Sequence, residues 1–133
     1  MKGLIYMTDE MLMETAERAC ENAYAPYSHF KVGAALLTAS GNIFTGCNVE
    51  NASYGGCICA ERTASVKAVS EGEREFAAIA IANSGGGLTY PCGICRQFLY
   101  EFGGNDLRII LRDDEGNIVV HTLGELLPHG FKL

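Results

Sequence analysis

Two short cysteine clusters constrain what this chain can fold into more than any other feature of its sequence. The stretch GGCICAERTA contains Cys57 and Cys59, and the stretch PCGICRQ, about thirty residues later, contains Cys92 and Cys95. A fold that brings the clusters together forms a thiolate site of the kind that binds zinc. If all four sulfurs bind, the site is closed and only stabilises the fold; if three bind, a position beside Glu61 stays open for water. The spacing alone leaves both arrangements open.

The composition limits the class of protein. The chain has 133 residues, 48% of them hydrophobic, which suffices for the core of one domain, predicted to span 1–133. Its net charge of -6 repels polyanions, so we expect neither nucleic acid nor an anionic membrane as a partner. No apolar run has transmembrane length, and the amino terminus turns charged too early for a secretory signal. The protein is therefore predicted to be cytoplasmic, and six cysteines in that compartment are better explained as metal ligands or free thiols than as disulfides.

Hydrophobic periodicity and turn residues predict an α/β fold. Apolar residues recur at helical spacing in the segments 9–23 and 60–72, and start and stop signals predict two further helices at 92–102 and 123–127. Short apolar or alternating runs predict strands at 30–37, 42–49, 76–82, 107–112 and 117–122. Pro91 at the start of the third helix and a capping box of Thr122 and Glu125 support these boundaries. The order of elements predicts a three-layer α-β-α domain with a mixed sheet of about five strands.

Both cysteine clusters fall at predicted helix N-termini. Cys59 comes just before the second helix, and Cys92 and Cys95 share one face of the first turn of the third. Free N–H groups and the positive end of the helix dipole lower a thiol pKa there and favour the thiolate that a metal needs. A Cys-x-x-Cys pair also occurs in redox proteins, so a thioredoxin-like function stays an alternative, although that function has no need of a second cluster.

Two charged residues follow Cys59 directly. Side chains in a first helical turn lean toward the N-terminus, so Glu61 can direct its carboxylate at an open metal position. Its alternative role is that of an acid favoured by the helix dipole. Arg62 can donate to a thiolate sulfur and offset the negative charge of a three-thiolate zinc site, or it can be an ordinary surface arginine.

Several motifs together resemble one family. The segment CAE followed by PCGICRQ matches the signature of zinc nucleoside deaminases, in which a glutamate lies beside a cysteine-bound zinc ion. The segments YAPYSHFKVGAAL, GCNVENASYG, CAERTA and ELLPHGF are similar to those of the small, single-domain cytidine deaminases that assemble as homotetramers. The resemblance runs from about Ala23 to Phe131, with the motifs in order.

The resemblance implies a metal site and a reaction. Cys59, Cys92 and Cys95 would bind one zinc ion per subunit, and Cys57 would be a free thiol nearby. The implied reaction is hydrolytic deamination of cytidine and deoxycytidine to uridine and deoxyuridine, with release of ammonia. Water activated at zinc adds to C4 of the base, while Glu61 carries protons from the water to N3 and then to the departing amine.

The same resemblance implies how the nucleoside is held within one subunit. Phe30 would line the pocket, and Asn48 and Glu50 would hydrogen-bond a sugar hydroxyl. Backbone groups near Ala60 would hold the edge of the base. Without the family, each of these would be taken for a core or solvated loop residue, because single polar residues in loops are common.

Assembly is the last implication. Tyr54 and Phe131 resemble residues that complete the site of a neighbouring subunit, so a homotetramer is expected.

Three alternatives remain: a deaminase of a modified cytosine nucleoside, a nucleic-acid editor with the same zinc core, and a structural zinc protein that uses all four cysteines. The acidic charge and the lack of a basic, aromatic-lined channel disfavour the editor.

Overall fold

The computed structural model describes residues 7–133, and within this range one mixed sheet of five strands packs with four α-helices. The helices are α1 (Asp9–Cys20), α2 (Ala60–Ser70), α3 (Gly93–Gly103) and α4 (Leu123–Leu126). The strands are β1 (Val32–Thr38), β2 (Ile43–Cys47), β3 (Phe76–Asn83), β4 (Arg108–Arg112) and β5 (Ile118–Thr122). None of these helices has the length and apolar character needed to cross a membrane.

The strand order places the cysteine segments. The strands lie in the order β2-β1-β3-β4-β5; β1 is antiparallel to β2 and to β3, β3 is parallel to β4, and β4 is antiparallel to β5. Parallel neighbours need a crossover connection, and α3 supplies it between β3 and β4. The segment that leaves β3 therefore reaches the N-terminus of α3, where Cys92 lies.

Helices cover both faces of the sheet, which confirms the predicted three-layer α-β-α fold. On one face, Leu12, Met13 and Ala16 of α1 pack against small residues of the central strands and against Ile110. On the other face lie α2 and α3, whose buried contact residues include Ala60, Ala64, Ala68 and Leu99. The cysteine clusters belong to this second layer.

Helix α2 lies directly on β2 at Gly46. A β-carbon at this position would be 2.5 Å from the Ala60 carbonyl oxygen and 2.5 Å from the Ala64 amide nitrogen. Only glycine fits, because the helix backbone occupies the space of a side chain. This close approach sets the position of the first turn of α2, and hence of Glu61, relative to the sheet.

Most predicted boundaries differ from the structure by one to three residues, including those of α1, β1 and α3. α1 ends at Cys20 rather than at 23, because the chain turns there through bonds to carbonyls three residues back. β1 begins at Val32 rather than at 30, because side chains bind both backbone polar groups of Phe30. α3 begins at Gly93, and Pro91 lies just outside the helix rather than in its first turn.

The predicted capping box is confirmed. The Thr122 hydroxyl accepts a hydrogen bond from the Glu125 amide at 3.4 Å, and the Glu125 carboxylate accepts one from the Thr122 amide at 3.0 Å. Two free N–H groups at the start of α4 are thereby satisfied.

Candidate active site

Three cysteine sulfurs meet between the N-termini of α2 and α3. Cys59 is the residue before α2, Cys92 is the residue before α3, and Cys95 lies in the first turn of α3. Their Sγ atoms lie within 4.8 Å of one another, and those of Cys59 and Cys92 are 3.8 Å apart. Cys95 is buried and Cys92 is exposed, so solvent reaches the cluster from the side of Cys92.

The cluster fits zinc. Two sulfurs bound at about 2.3 Å to a tetrahedral zinc ion lie about 3.8 Å apart, which is the spacing of Cys59 and Cys92. Three thiolates form a soft ligand set that zinc prefers and that leaves a fourth position for another ligand. The chemistry and the spacing of these three residues therefore suit a zinc ion with an open coordination position.

Cys57 is not part of this cluster. Its sulfur accepts a hydrogen bond from the Asn51 amide at 3.3 Å and lies 3.6 Å from the Asn51 carbonyl oxygen. Among residues 7–133, the group of sulfurs within 4.8 Å of one another consists of Cys59, Cys92 and Cys95 and does not include Cys57. A closed four-sulfur site is therefore not the arrangement that the fold produces.

Hydrogen bonds stabilise the thiolate form of Cys59. They lower its pKa to about 5; the largest cause is a hydrogen bond from the Cys95 thiol, and the Arg62 guanidinium adds to it. Arg62 Nη2 lies 3.6 Å from Cys59 Sγ, so the positively charged guanidinium group contacts the sulfur cluster. The Nε atom of Arg62 is buried and has no hydrogen-bond partner in the part of the chain that the structure describes.

Glu61 is a buried acid beside the cluster. It occupies the first turn of α2, and only 4% of its surface is exposed. Burial raises its pKa to about 7, because a carboxylate loses the solvation that water gives it. A carboxyl group with such a pKa exists in both forms at neutral pH, as a residue that accepts and donates protons must.

A cavity of about 280 Å³ joins the cysteine cluster to the residues expected to hold a substrate. Five residues that were predicted to belong to the site line this cavity together with Cys59 and Cys92: Phe30, Asn48, Glu50, Ala60 and Glu61. Its volume is close to the lower end of the range for small-molecule sites. One end of the cavity carries thiols and a carboxyl, and the walls include apolar residues.

Asn48 and Glu50 organise the loop next to this cavity. The Asn48 amide donates to the Phe30 carbonyl at 2.8 Å and accepts from the Val32 amide at 2.8 Å. The Glu50 carboxylate accepts the amide of Ser28 at 3.1 Å and also bonds the Ser28 hydroxyl. The hydroxyl bond is the largest of the causes that lower the pKa of Glu50, which is therefore ionised at neutral pH.

Tyr54 and Phe131 lie outside this cavity. Their exposed fractions are 74% and 62%, which is high for aromatic residues. Two backbone hydrogen bonds hold Phe131: the Gln97 amide donates to its carbonyl at 2.8 Å, and its own amide donates to Gln97 Oε1 at 3.4 Å. Tyr54 instead lines an adjoining cavity of about 390 Å³, which shares Asn48, Glu50, Cys59 and Cys92 with the cavity that holds Glu61.

Sequence reasoning did not identify Ser28, Thr89 and Tyr90, which also line the cavity. Thr89 and Tyr90 come immediately before PCGIC, and Ser28 comes two residues before Phe30. Proximity to those motifs was the available signal. The Tyr90 ring also packs at a tilted angle against the His121 ring, with centroids 5.6 Å apart, so its position depends on β5.

Comparison with known proteins supports the family that the sequence motifs resemble. The family described as the cytidine and deoxycytidylate deaminase zinc-binding region matches residues 7–111. The chain is 46% identical over 125 residues to a cytidine deaminase of Sporosarcina psychrophila, covering 94% of this chain and 92% of the relative. The relative from Halalkalibacterium halodurans, also a cytidine deaminase, is 47% identical, with 94% and 95% covered.

Solved structures agree. The crystal structure of cytidine deaminase from Burkholderia pseudomallei superposes with a TM-score of 0.88 at 52% identity, covering 94% of this chain and all of that one, 100%. The cytidine deaminase from Mycobacterium tuberculosis gives 0.83 at 43% identity, with 93% and 97% covered. With the cysteine cluster, the buried glutamate and the cavity in the same arrangement that the sequence motifs imply, this chain belongs to the cytidine and deoxycytidylate deaminase zinc-binding family.

Proposed function

We propose that this protein is a zinc-dependent cytidine deaminase that hydrolyses cytidine and deoxycytidine to uridine and deoxyuridine with release of ammonia. One observation carries the proposal: the buried Glu61 and the sulfurs of Cys59 and Cys92 face the same cavity as Asn48 and Glu50. A nucleoside has a reacting base at one end and hydroxyls at the other. The cavity has chemistry suited to both ends.

Three thiolates would hold the metal, from Cys59, Cys92 and Cys95. When bound there, zinc supplies a Lewis acid that lowers the pKa of a water in its fourth coordination position. Arg62 reduces the negative charge of the thiolates through its contact with Cys59, since guanidinium donors withdraw charge from sulfur. The Cys57 sulfur accepts a hydrogen bond from the Asn51 amide instead and is not one of the proposed ligands.

Glu61 would move the protons of the reaction. As a carboxylate it takes one proton from water and, as an acid, gives that proton to N3 of the pyrimidine. It then takes the remaining proton from the hydroxyl added at C4 and gives it to the amine, which leaves as ammonia while C4 becomes a carbonyl. A pKa of about 7 makes both forms available at neutral pH. Its burial also keeps bulk water from exchanging these protons.

Asn48 and Glu50 retain hydrogen-bonding capacity for a sugar hydroxyl. The Asn48 amide spends one N–H and one oxygen lone pair on the backbone, which leaves one of each. Glu50 accepts two amide hydrogen bonds and one from the Ser28 hydroxyl, which leaves about one of its roughly four lone-pair positions. A hydroxyl that accepts from Asn48 and donates to Glu50 uses what remains. Ribose and deoxyribose both offer such a hydroxyl.

We further propose that the chain folds as one domain over 1–133 and forms a homotetramer in which Tyr54 and Phe131 complete a neighbouring site. One continuous sheet supports the first statement. The high exposure of both aromatic residues supports the second. All six cysteines are free thiols, which supports a reducing, cytoplasmic location.

The first experiment is direct. Zinc-loaded protein is mixed with cytidine at neutral pH, and the fall in ultraviolet absorbance is followed while ammonia is quantified. We expect equimolar uridine and ammonia. A folded, zinc-containing protein that releases neither from cytidine or deoxycytidine would contradict the proposal and favour a modified cytosine nucleoside or a structural zinc site.

Shared sites call for a second experiment. Subunits with Glu61→Gln and subunits with Phe131→Ala are produced separately and by co-expression. If Phe131 acts in a neighbouring subunit, mixed oligomers pair an intact Glu61 with a Phe131 from the other subunit, and activity is restored. If Phe131 acts in its own subunit, no mixed oligomer contains a complete site and activity stays low.

A further inference from the structure

Ser28 makes three hydrogen bonds beside the cavity. Its hydroxyl donates to the Glu50 carboxylate and accepts the Phe30 amide at 3.1 Å, and its own amide donates to Glu50 at 3.1 Å. A hydroxyl has one donor hydrogen, so this donor is fully committed to the carboxylate. Ser28 thus connects a charged group and an aromatic residue of the same cavity.

The backbone of Phe30 is held by side chains at both of its polar groups. Its amide donates to the Ser28 hydroxyl, and its carbonyl accepts from the Asn48 amide at 2.8 Å. Phe30 precedes β1, so the sheet does not fix it. Phe30 is 43% exposed, so packing against the core does not fix it fully either.

The turn that precedes Phe30 is strained. His29 has a φ of 59°, in the left-handed region that residues other than glycine seldom adopt. Such a conformation persists only where surrounding interactions hold it. Hydrogen bonds hold the residues on either side of His29. The Phe30 amide donates to the Ser28 hydroxyl, and the amides of Ser28 and Tyr27 donate to the Glu50 carboxylate, that of Tyr27 at 2.9 Å.

We propose that Ser28 is a positioning residue for nucleoside binding: through its hydroxyl it fixes the Phe30 wall relative to the Glu50 carboxylate. The inference rests on the proposed function of the cavity and adds a residue to it. Within residues 7–133, the hydrogen bonds of Ser28 join it to Glu50 and Phe30 and not to the cysteines or Glu61. Its removal should therefore weaken substrate binding and leave the chemical step intact.

The test uses the zinc-loaded full chain with cytidine. Ser28→Ala should raise KM about tenfold or more, as expected for loss of a hydrogen bond to a charged group, with kcat little changed. Ser28→Thr keeps the hydroxyl and should restore KM, because the exposed position has room for a methyl group. Ser53→Ala is the matched control, since the Ser53 side chain makes no hydrogen bond with residues 7–133.

A binding measurement removes the dependence on turnover. The dissociation constant of the product uridine, measured by calorimetry, should rise in Ser28→Ala by about the same factor as KM, with zinc content and melting temperature unchanged. An unchanged KM in Ser28→Ala, or a Ser28→Thr variant that behaves like Ser28→Ala, would overturn the proposal. An unsubstituted chain that does not convert cytidine would overturn the proposed function and this inference together.

A double-mutant cycle tests the route through Phe30. If Ser28 acts by placing Phe30, then Ser28→Ala should have much less effect on KM in a Phe30→Ala background than in the unsubstituted chain. Ser28→Cys, which keeps the shape but donates weakly, should fall between serine and alanine. Full additivity of the Ser28 and Phe30 effects would show that Ser28 acts independently of Phe30 and would refute the proposed role.

Discussion

The two ends of the cavity are built in different ways. The thiolate half consists of residues at the N-termini of α2 and α3: Cys59, Glu61, Cys92 and Cys95. The loop half consists of residues before β1 and after β2: Ser28, Phe30, Asn48 and Glu50. Regular secondary structure places the first half, whereas side-chain hydrogen bonds within exposed loops place the second.

The difference separates chemistry from recognition. Ala60 and Ala64 of α2 are fully buried against the sheet, so the helix that carries Glu61 is fixed by the core. The loop half has little apolar burial, and its geometry depends on a few hydrogen bonds. We therefore expect substitutions in the thiolate half to abolish zinc binding or kcat, and substitutions in the loop half to change KM.

The largest expected effect is loss of the metal. Cys95→Ala removes a buried sulfur from the thiolate half and should lower the zinc content of the purified protein from about one ion per chain to near zero, with complete loss of turnover. Cys57→Ala is the matched control and should keep its zinc, because the Cys57 sulfur contacts Asn51 instead. Elemental analysis of both variants decides the matter. Zinc loss from Cys57→Ala would revive the closed four-sulfur site.

Glu61→Gln should come next in size. Replacing the proton carrier should lower kcat by roughly 10²–10⁴-fold while the zinc content stays that of the unsubstituted protein. Glu14→Gln, an exposed glutamate on α1, makes the same chemical change far from the cavity and should have no effect. Steady-state kinetics with cytidine measure both. A Glu61→Gln variant with normal kcat would break the assignment of the chemistry to this half.

A substitution in the loop half should have a smaller effect of a different kind. Asn48→Ala leaves the Phe30 carbonyl and the Val32 amide without partners and removes a donor for the sugar hydroxyl. We expect KM to rise roughly tenfold or more, with a much smaller change in kcat. Asn22→Ala, in an exposed turn, serves as the control. If kcat fell more than KM rose, the division between the two halves would be wrong.

The last and smallest expected effect is a loss of stability in Gly46→Ala, which tests how the core holds the thiolate half. The new methyl group would press on the backbone of α2 near Ala60, and such overpacking typically costs about 1–3 kcal/mol of stability. Gly55→Ala, where a β-carbon meets nothing within 4 Å, is the control. Urea unfolding measures the difference. Equal stability of the two variants would mean that α2 can move away from β2 freely.

Local signals were enough to predict much of this protein. Helix caps, glycine and proline punctuation and hydrophobic periodicity act over a few residues, so the element order and the α/β class follow from the sequence. Cys59, Cys92 and Cys95 could be placed at helix N-termini for the same reason. The predicted start of β1 was wrong because a long-range hydrogen bond from the Asn48 side chain holds the Phe30 carbonyl, which no local pattern indicates.

The tertiary structure alone decided the details of the site. The direction of the Cys57 sulfur depends on Asn51, and the position of Tyr90 depends on His121 of an edge strand. The two bonds of Asn48 to the start of β1 likewise join segments far apart in the chain. The sequence by itself determined which residues can bind a metal and carry protons, because those abilities belong to the side chains. Which of them meet in one cavity was decided by packing between distant elements, which no local pattern encodes.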